Sequence, residues 1–125
     1  MLATDTNTGH HRRALRRAVD ITCEMVSPRS DDPIAARATD LSPFGLWVEA
    51  PCRLAVGERV VVCLHPPRTD SEVIAFAKVA RVGASRTVDG VVGIGLELEL
   101  AEEERAALAA ALHGLPPPLP PVVLS

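Results

Sequence analysis

The chain has 125 residues, the size of one ordinary domain, and 47% of them are apolar, enough for one hydrophobic core. Aromatics make up 2%, with one Trp, two Phe and no Tyr, so that core must be built from Val, Leu, Ile and Ala. The net charge of −3 hides an asymmetry: residues 1–17 hold four Arg and one Asp, and residues 18–125 hold nine Lys or Arg against fifteen Asp or Glu. An acidic body excludes generic DNA or RNA binding, which needs a broad basic face, and a short basic arm on it suits a small anion.

No apolar run is long enough to span a membrane, so membrane insertion is not expected. Residues 1–17 lack the apolar centre of a secretory signal, and the expected compartment is the cytoplasm. Cys23, Cys52 and Cys63 form no Cys-x-x-Cys, and none pairs with a His at metal-ligand spacing, which argues against zinc. Cys23 and Cys63 fall in apolar strand patterns and read as small buried hydrophobes.

Residues 1–11 read as a disordered leader. In residues 18–26, Val19, Ile21, Cys23 and Met25 alternate with Asp20, Thr22 and Glu24, the period of a half-buried strand. A second strand is predicted over 35–41. It passes through Ser42-Pro43-Phe44-Gly45 into a third over 46–49, ended by Pro51. Residues 60–64 are a β-branched run closed by Pro66-Pro67. A longer strand follows over 73–83, in which either of two alternating sets could face inward. After an Asp-Gly turn signal within 84–90, residues 91–100 set Ile94, Leu96 and Leu98 against Gly93, Gly95 and Glu97. Six strands separated by turn signals argue an antiparallel barrel or sandwich.

From Ala101 to Leu112 the composition turns to Ala and Glu, which favours a helix. Glu102, Glu103 and Glu104 fill its first turn, and Gly114 and Pro116 stop it. The organisation expected is a leader (1–11), a β domain with a C-terminal helix (12–114) and a proline-rich tail (115–125).

Two motifs carry chemistry. Arg12-Arg13-Ala14-Leu15-Arg16-Arg17 contains Arg-x-x-x-Arg twice, just before the first strand. Guanidinium is planar, permanently charged, and forks onto phosphate or onto the O6/N7 edge of guanine. Asp40-Leu41-Ser42-Pro43-Phe44-Gly45 is Asp-x-Ser-x-x-Gly at the hairpin between strands two and three. Asp40 can accept from the N1–H and N2–H₂ edge of guanine, Ser42 can donate or accept, and Gly45 allows unusual backbone geometry or a close approach. Each motif alone is weak, since an Arg-rich terminus is commonly solvated and Asp-x-Ser-x-x-Gly is an ordinary turn.

In this order, about 22 residues apart and followed by Val56-Gly57-Glu58, by Ala77-Lys78-Val79-Ala80-Arg81-Val82 and by Gly93-Ile94-Gly95-Leu96-Glu97-Leu98, they resemble the bacterial PilZ domain family. The resemblance runs over residues 12–112. It implies a mainly β fold, a six-stranded antiparallel barrel with a C-terminal helix. It also implies a cytoplasmic receptor for the second messenger cyclic di-GMP that acts through a downstream protein, with no catalysis, metal or cofactor. By motif position Arg13 and Arg17 are the clamp, with Arg12 and Arg16 the alternative frame, and Asp40, Ser42 and Gly45 match the second motif. Leu46 stands where a second Gly is frequent. Ordering of the arm over the ligand is the signal that the resemblance implies. Arg17→Ala is then expected to lose affinity with little change in stability. The alternative is a degenerate PilZ-like adaptor, as in type IV pilus assembly, that contacts proteins and binds no nucleotide. Trp47 and Arg37 read as strand packing and a solvated charge, and His10 and His11 as leader residues.

Overall fold

The computed structural model describes residues 15–29, 32–84 and 91–117. The expected leader, with His10, His11, Arg12 and Arg13, lies outside the described residues, as do residues 85–90 of the Asp-Gly turn and most of the proline-rich tail.

Six strands form the chain's framework: β1 (Arg17–Val26), β2 (Ile34–Ser42), β3 (Gly45–Ala50), β4 (Arg59–Leu64), β5 (Val73–Ala84) and β6 (Val92–Glu99). They close into an antiparallel barrel in the order β1-β2-β3-β6-β5-β4, with β4 returning to β1. Among the described residues closure leaves no unpaired sheet edge. Most predicted boundaries fall within a residue or two of these.

The interior is aliphatic, as the scarcity of aromatics requires. Met25, Leu41, Leu46, Val48, Val60, Val62, Val79 and Ile94 are the large strand side chains sealed inside. On β5 the inward set is Ala75, Ala77 and Val79, which leaves Ile74 and Phe76 outside. Cys23 is buried, and burial pushes its thiol pKa up to about 11. Cys63 differs from the sequence expectation. It lies half-buried on the outer face, where its thiol donates to Glu72 Oε2 at 2.8 Å. That bond, more than burial, raises its pKa to about 11.

Helix α1 (Glu102–Leu112) adds Leu108 and Leu112 to the core, and Glu104 Oε1 accepts from the Ala101 amide at its start. After Gly114, at φ +87°, the chain returns along the barrel, and the Ala18 amide at the foot of β1 donates to Pro116 O at 2.7 Å. Among the described residues no helix is long and apolar enough to cross a membrane.

Three strand pairs slip by a residue, between Ala18 and Ile21, between Ala38 and Asp40, and between Val79 and Arg81. Each slip resets which residues point inward. In β2, Ala36 and Ala38 face the core, and beyond the slip Leu41 does so. Strict alternation would have put Asp40 inside.

Candidate functional site

The three slips end on one line of paired residues. Ala18 pairs with Asp40, Asp40 with Trp47, Trp47 with Gly95 and Gly95 with Arg81. This row crosses the outer face of five strands and displays Asp40, Trp47 and Arg81 together.

Asp40 is 1% exposed although it lies outside the core. Arg16 Nη1 lies 3.3 Å from its Oδ1 and 3.5 Å from its Oδ2. The structure thus brings one arginine of the hexamer onto the carboxylate of the second motif, across 24 residues of sequence. That arginine belongs to the alternative frame. Arg17, of the preferred frame, turns elsewhere: its Nη1 donates to Leu115 O at 2.6 Å.

Ser42 is engaged in its own hairpin. Its Oγ accepts from the amides of Phe44 and Gly45, each at 3.2 Å. Gly45 is required by a close backbone approach. A Cβ there would stand 2.5 Å from Leu96 O on β6. Both residues hold the tight turn that presents Asp40.

Trp47 forms the floor of the row. It is 6% exposed, outside the core cluster, and its Nε1 donates to Glu49 Oε2 at 2.8 Å. Its ring fills the space above Gly93, where a Cβ would meet the ring at 2.1 Å. Arg81 lies over the ring, its Cζ 5.7 Å from the centroid, a cation–π arrangement. Arg37 is clasped by both oxygens of Asp20 at 2.6 Å, and this fork holds the Asp20 carboxyl below its usual range. Arg37 is therefore occupied on an exposed face, as its reading as a strand charge expected.

Sequence reasoning missed Arg81 and Glu49 as members of this face. The signal available for them was Gly93-x-Gly95, two bare positions that imply a large neighbour lying flat. Among the described residues no cluster of three or more His, Cys, Asp or Glu is arranged to hold a metal ion.

The PilZ domain family model matches residues 10–114. The chain belongs to the PilZ domain family. No curated protein sequence matches it. Among solved structures, this PilZ domain is similar to the Bacillus subtilis inhibitor of motility MotI/DgrA (TM-score 0.69, 17% identity), covering 79% of this chain and 48% of that one. It is also similar to the PilZ domain of YcgR from Escherichia coli with c-di-GMP (TM-score 0.68, 15% identity), covering 83% and 90%. MrkH, a c-di-GMP-dependent transcription regulatory factor, gives a TM-score of 0.64 at 14% identity over 81% of this chain and 49% of that one. The chain spans about half the length of MotI/DgrA and of MrkH. At these identities the likeness is one of fold.

Proposed function

We propose that this PilZ domain is a cytoplasmic receptor for cyclic di-GMP, a binding module without catalysis that acts through a downstream protein. The observation that carries the reading is the meeting of Arg16 with the buried carboxylate of Asp40, at the root of an arginine-rich arm. The likeness of fold to a PilZ domain with c-di-GMP bound supports it.

The ligand has two guanines and two phosphates. In the free chain Arg16 holds the place of a guanine on Asp40. The N1–H and N2–H₂ edge of a guanine then takes over Asp40, and Arg16 is released to a phosphate. The pair broken is long and Arg16 is 43% exposed, and the buried carboxylate keeps charged hydrogen bonds throughout because the guanine N–H groups take the place of the guanidinium. Arg17 completes one frame with Arg13, and Arg16 completes the other with Arg12. Trp47 and Arg81 bound the far side of the row, where the flat ring and guanidinium suit a purine. The arm orders over the ligand, and that change is the signal.

Isothermal titration of the full chain with cyclic di-GMP, beside an Asp40→Ala variant, tests the reading. Losing a charged acceptor of paired N–H donors should weaken binding by about 10- to 150-fold, from roughly 1.5–3 kcal/mol per charged hydrogen bond. Absence of binding by the wild type at millimolar nucleotide would refute the receptor and leave the family's adaptor role.

A further inference from the structure

Trp47 and Arg81 leave their strands in opposite directions and cross above Gly95. The indole starts on β3 and spreads over β6. A Cβ at Gly95 would stand 3.5 Å from its Cε3, and the far edge of the ring comes to 4.0 Å from the Cβ position of Gly83 on β5. Arg81 starts on β5 and runs back over β6, its Cβ and Nε passing 3.6 Å and 3.3 Å from the Cβ position of Gly95. Beyond Gly95 the row continues to Trp47 on β3 and Asp40 on β2. The side chain of Arg81 therefore carries its charge along the row toward the Asp40 carboxylate.

The charge is not used by the fold. Arg16, Arg29, Arg37 and Arg59 each meet a carboxylate. Arg81 is exposed, and among the described residues its guanidinium meets the Trp47 ring and no carboxylate or carbonyl. The acidic groups nearest in the ladder are placed otherwise: Glu49 accepts from Trp47 Nε1, and Glu97 stands opposite Lys78. The contact with the indole holds the guanidinium over the row with its N–H groups unspent.

An acceptor thus stands at one end of the row and a donor fork at the other. Asp40 and Gly95 lie two strands apart, about 10 Å, and the reach of Arg81 shortens the gap to that of one base with a hydrogen bond at each edge. Guanine answers both ends, with N1–H and N2–H₂ donors on one edge and O6 and N7 acceptors on the next. Adenine answers neither fully: its N1 would face the carboxylate and its N6–H₂ the guanidinium, acceptor against acceptor and donor against donor.

We propose that Arg81 sets the base specificity of this site by forking onto the O6/N7 edge of the same guanine whose N1–H and N2–H₂ edge sits on Asp40. The inference rests on the receptor reading and adds to it a residue that reads the base from the opposite side.

Isothermal titration of the full chain with cyclic di-GMP, and with its analogue carrying 7-deazaguanine in both bases, tests the proposal. The analogue keeps O6 and every donor and lacks the N7 acceptor. Arg81→Ala should bind cyclic di-GMP about 10- to 150-fold more weakly than the wild type. On passing to the analogue the wild type should lose about tenfold more affinity than Arg81→Ala does, because the variant has no fork to break at that atom. Arg81→Lys keeps a cation beside the indole but cannot fork, so it should resemble Arg81→Ala in its response to the analogue. Wild-type affinity for cyclic di-GMP in Arg81→Ala overturns the proposal. An equal loss on the analogue in the wild type and both variants also overturns it, and leaves Arg81 as a cover for the indole. A wild type that binds no cyclic di-GMP removes the receptor reading and this inference with it. The wild-type titration thus judges the receptor, and the variants judge Arg81.

Discussion

Replacing Arg17 by Ala perturbs two states at once. In the free chain the Arg17 guanidinium donates to Leu115 O at 2.6 Å, next to the bond from the Ala18 amide to Pro116 O. A hydrogen bond from a charged donor contributes about 1.5–3 kcal/mol, and partial exposure favours the lower end. A loss of about 1.5 kcal/mol in a domain near 100 residues lowers the melting temperature by about 6–12 °C. The expectation from sequence, that stability would hardly change, omitted this contact because nothing local links Arg17 to a carbonyl 98 residues away. In the proposed complex the same guanidinium forks onto a phosphate with two bonds and gives up one. The net loss on mutation is then about one charged bond, or roughly a 10- to 150-fold weaker affinity for cyclic di-GMP. Shortening the chain after Gly114 removes the competing carbonyl and should tighten binding, by up to about tenfold if most of that bond is recovered. Titration calorimetry at fixed salt, with a thermal melt of each free protein, reads both quantities. A fall in melting temperature for Arg17→Ala with unchanged affinity would refute the role of Arg17 in the clamp. Arg17 would then serve only the C-terminal segment, and the Arg12/Arg16 frame would hold the ligand.

Gly93→Ala should lower stability by about 2–4 kcal/mol, because its Cβ would meet the Trp47 ring and the Ala84 carbonyl while Glu49 pins the indole; a melting point within 2 °C of wild type, roughly half a kcal/mol, would show that the ring is free to move. Glu58 accepts from Ser27 Oγ at 2.6 Å and from the Ala55 amide and Arg29, and these bonds, Ser27 first, hold its carboxyl below the usual range of glutamate. Its folded pKa is depressed, so its contribution is present above the unfolded value and fades as pH falls through the folded one. Melts across pH 3–7 should show Glu58→Gln less stable than wild type by about 1 kcal/mol above pH 5, with the gap closing in acid; a gap independent of pH would refute the assignment.

Alternation alone located β1 and β6, because each has one clearly apolar set of residues. It could not orient β5, where Ile74 and Phe76 compete with Ala75, Ala77 and Val79. The structure puts the small residues inside and leaves the large ones on the outer face. The candidate site was legible as two motifs and obscure as geometry. Counting by twos from Ala36 and Ala38 reaches Asp40 as the next core residue, and only the slipped residue in β2 turns it outward. A one-residue slip leaves no mark on composition. The pairing of Trp47 with Gly95 and Arg81 depends on β3 lying beside β6, and β6 beside β5, which the order of strands in sequence does not dictate.

The alignment of the three slips has a mechanical consequence for the proposed receptor. Each slip locally breaks the ladder, but because all three fall at one level the rest of the barrel stays regular and stiff. The row they create is held from below by fixed elements: the Ser42 turn, the close contact of Gly45 with β6, and an indole locked between glycines and a carboxylate. The groups above it are of another kind. Arg16 and Arg17 are tied to the rest of the molecule by hydrogen bonds that a phosphate can replace. A rigid floor with exchangeable clamps concentrates the response to ligand at the foot of β1, where the arm and the returning C-terminal segment meet at Ala18 and Pro116. In the proposed complex, drawing Arg17 away from Leu115 acts on the foot of β1 and on the segment just after α1 together, while the floor of the row is left in place.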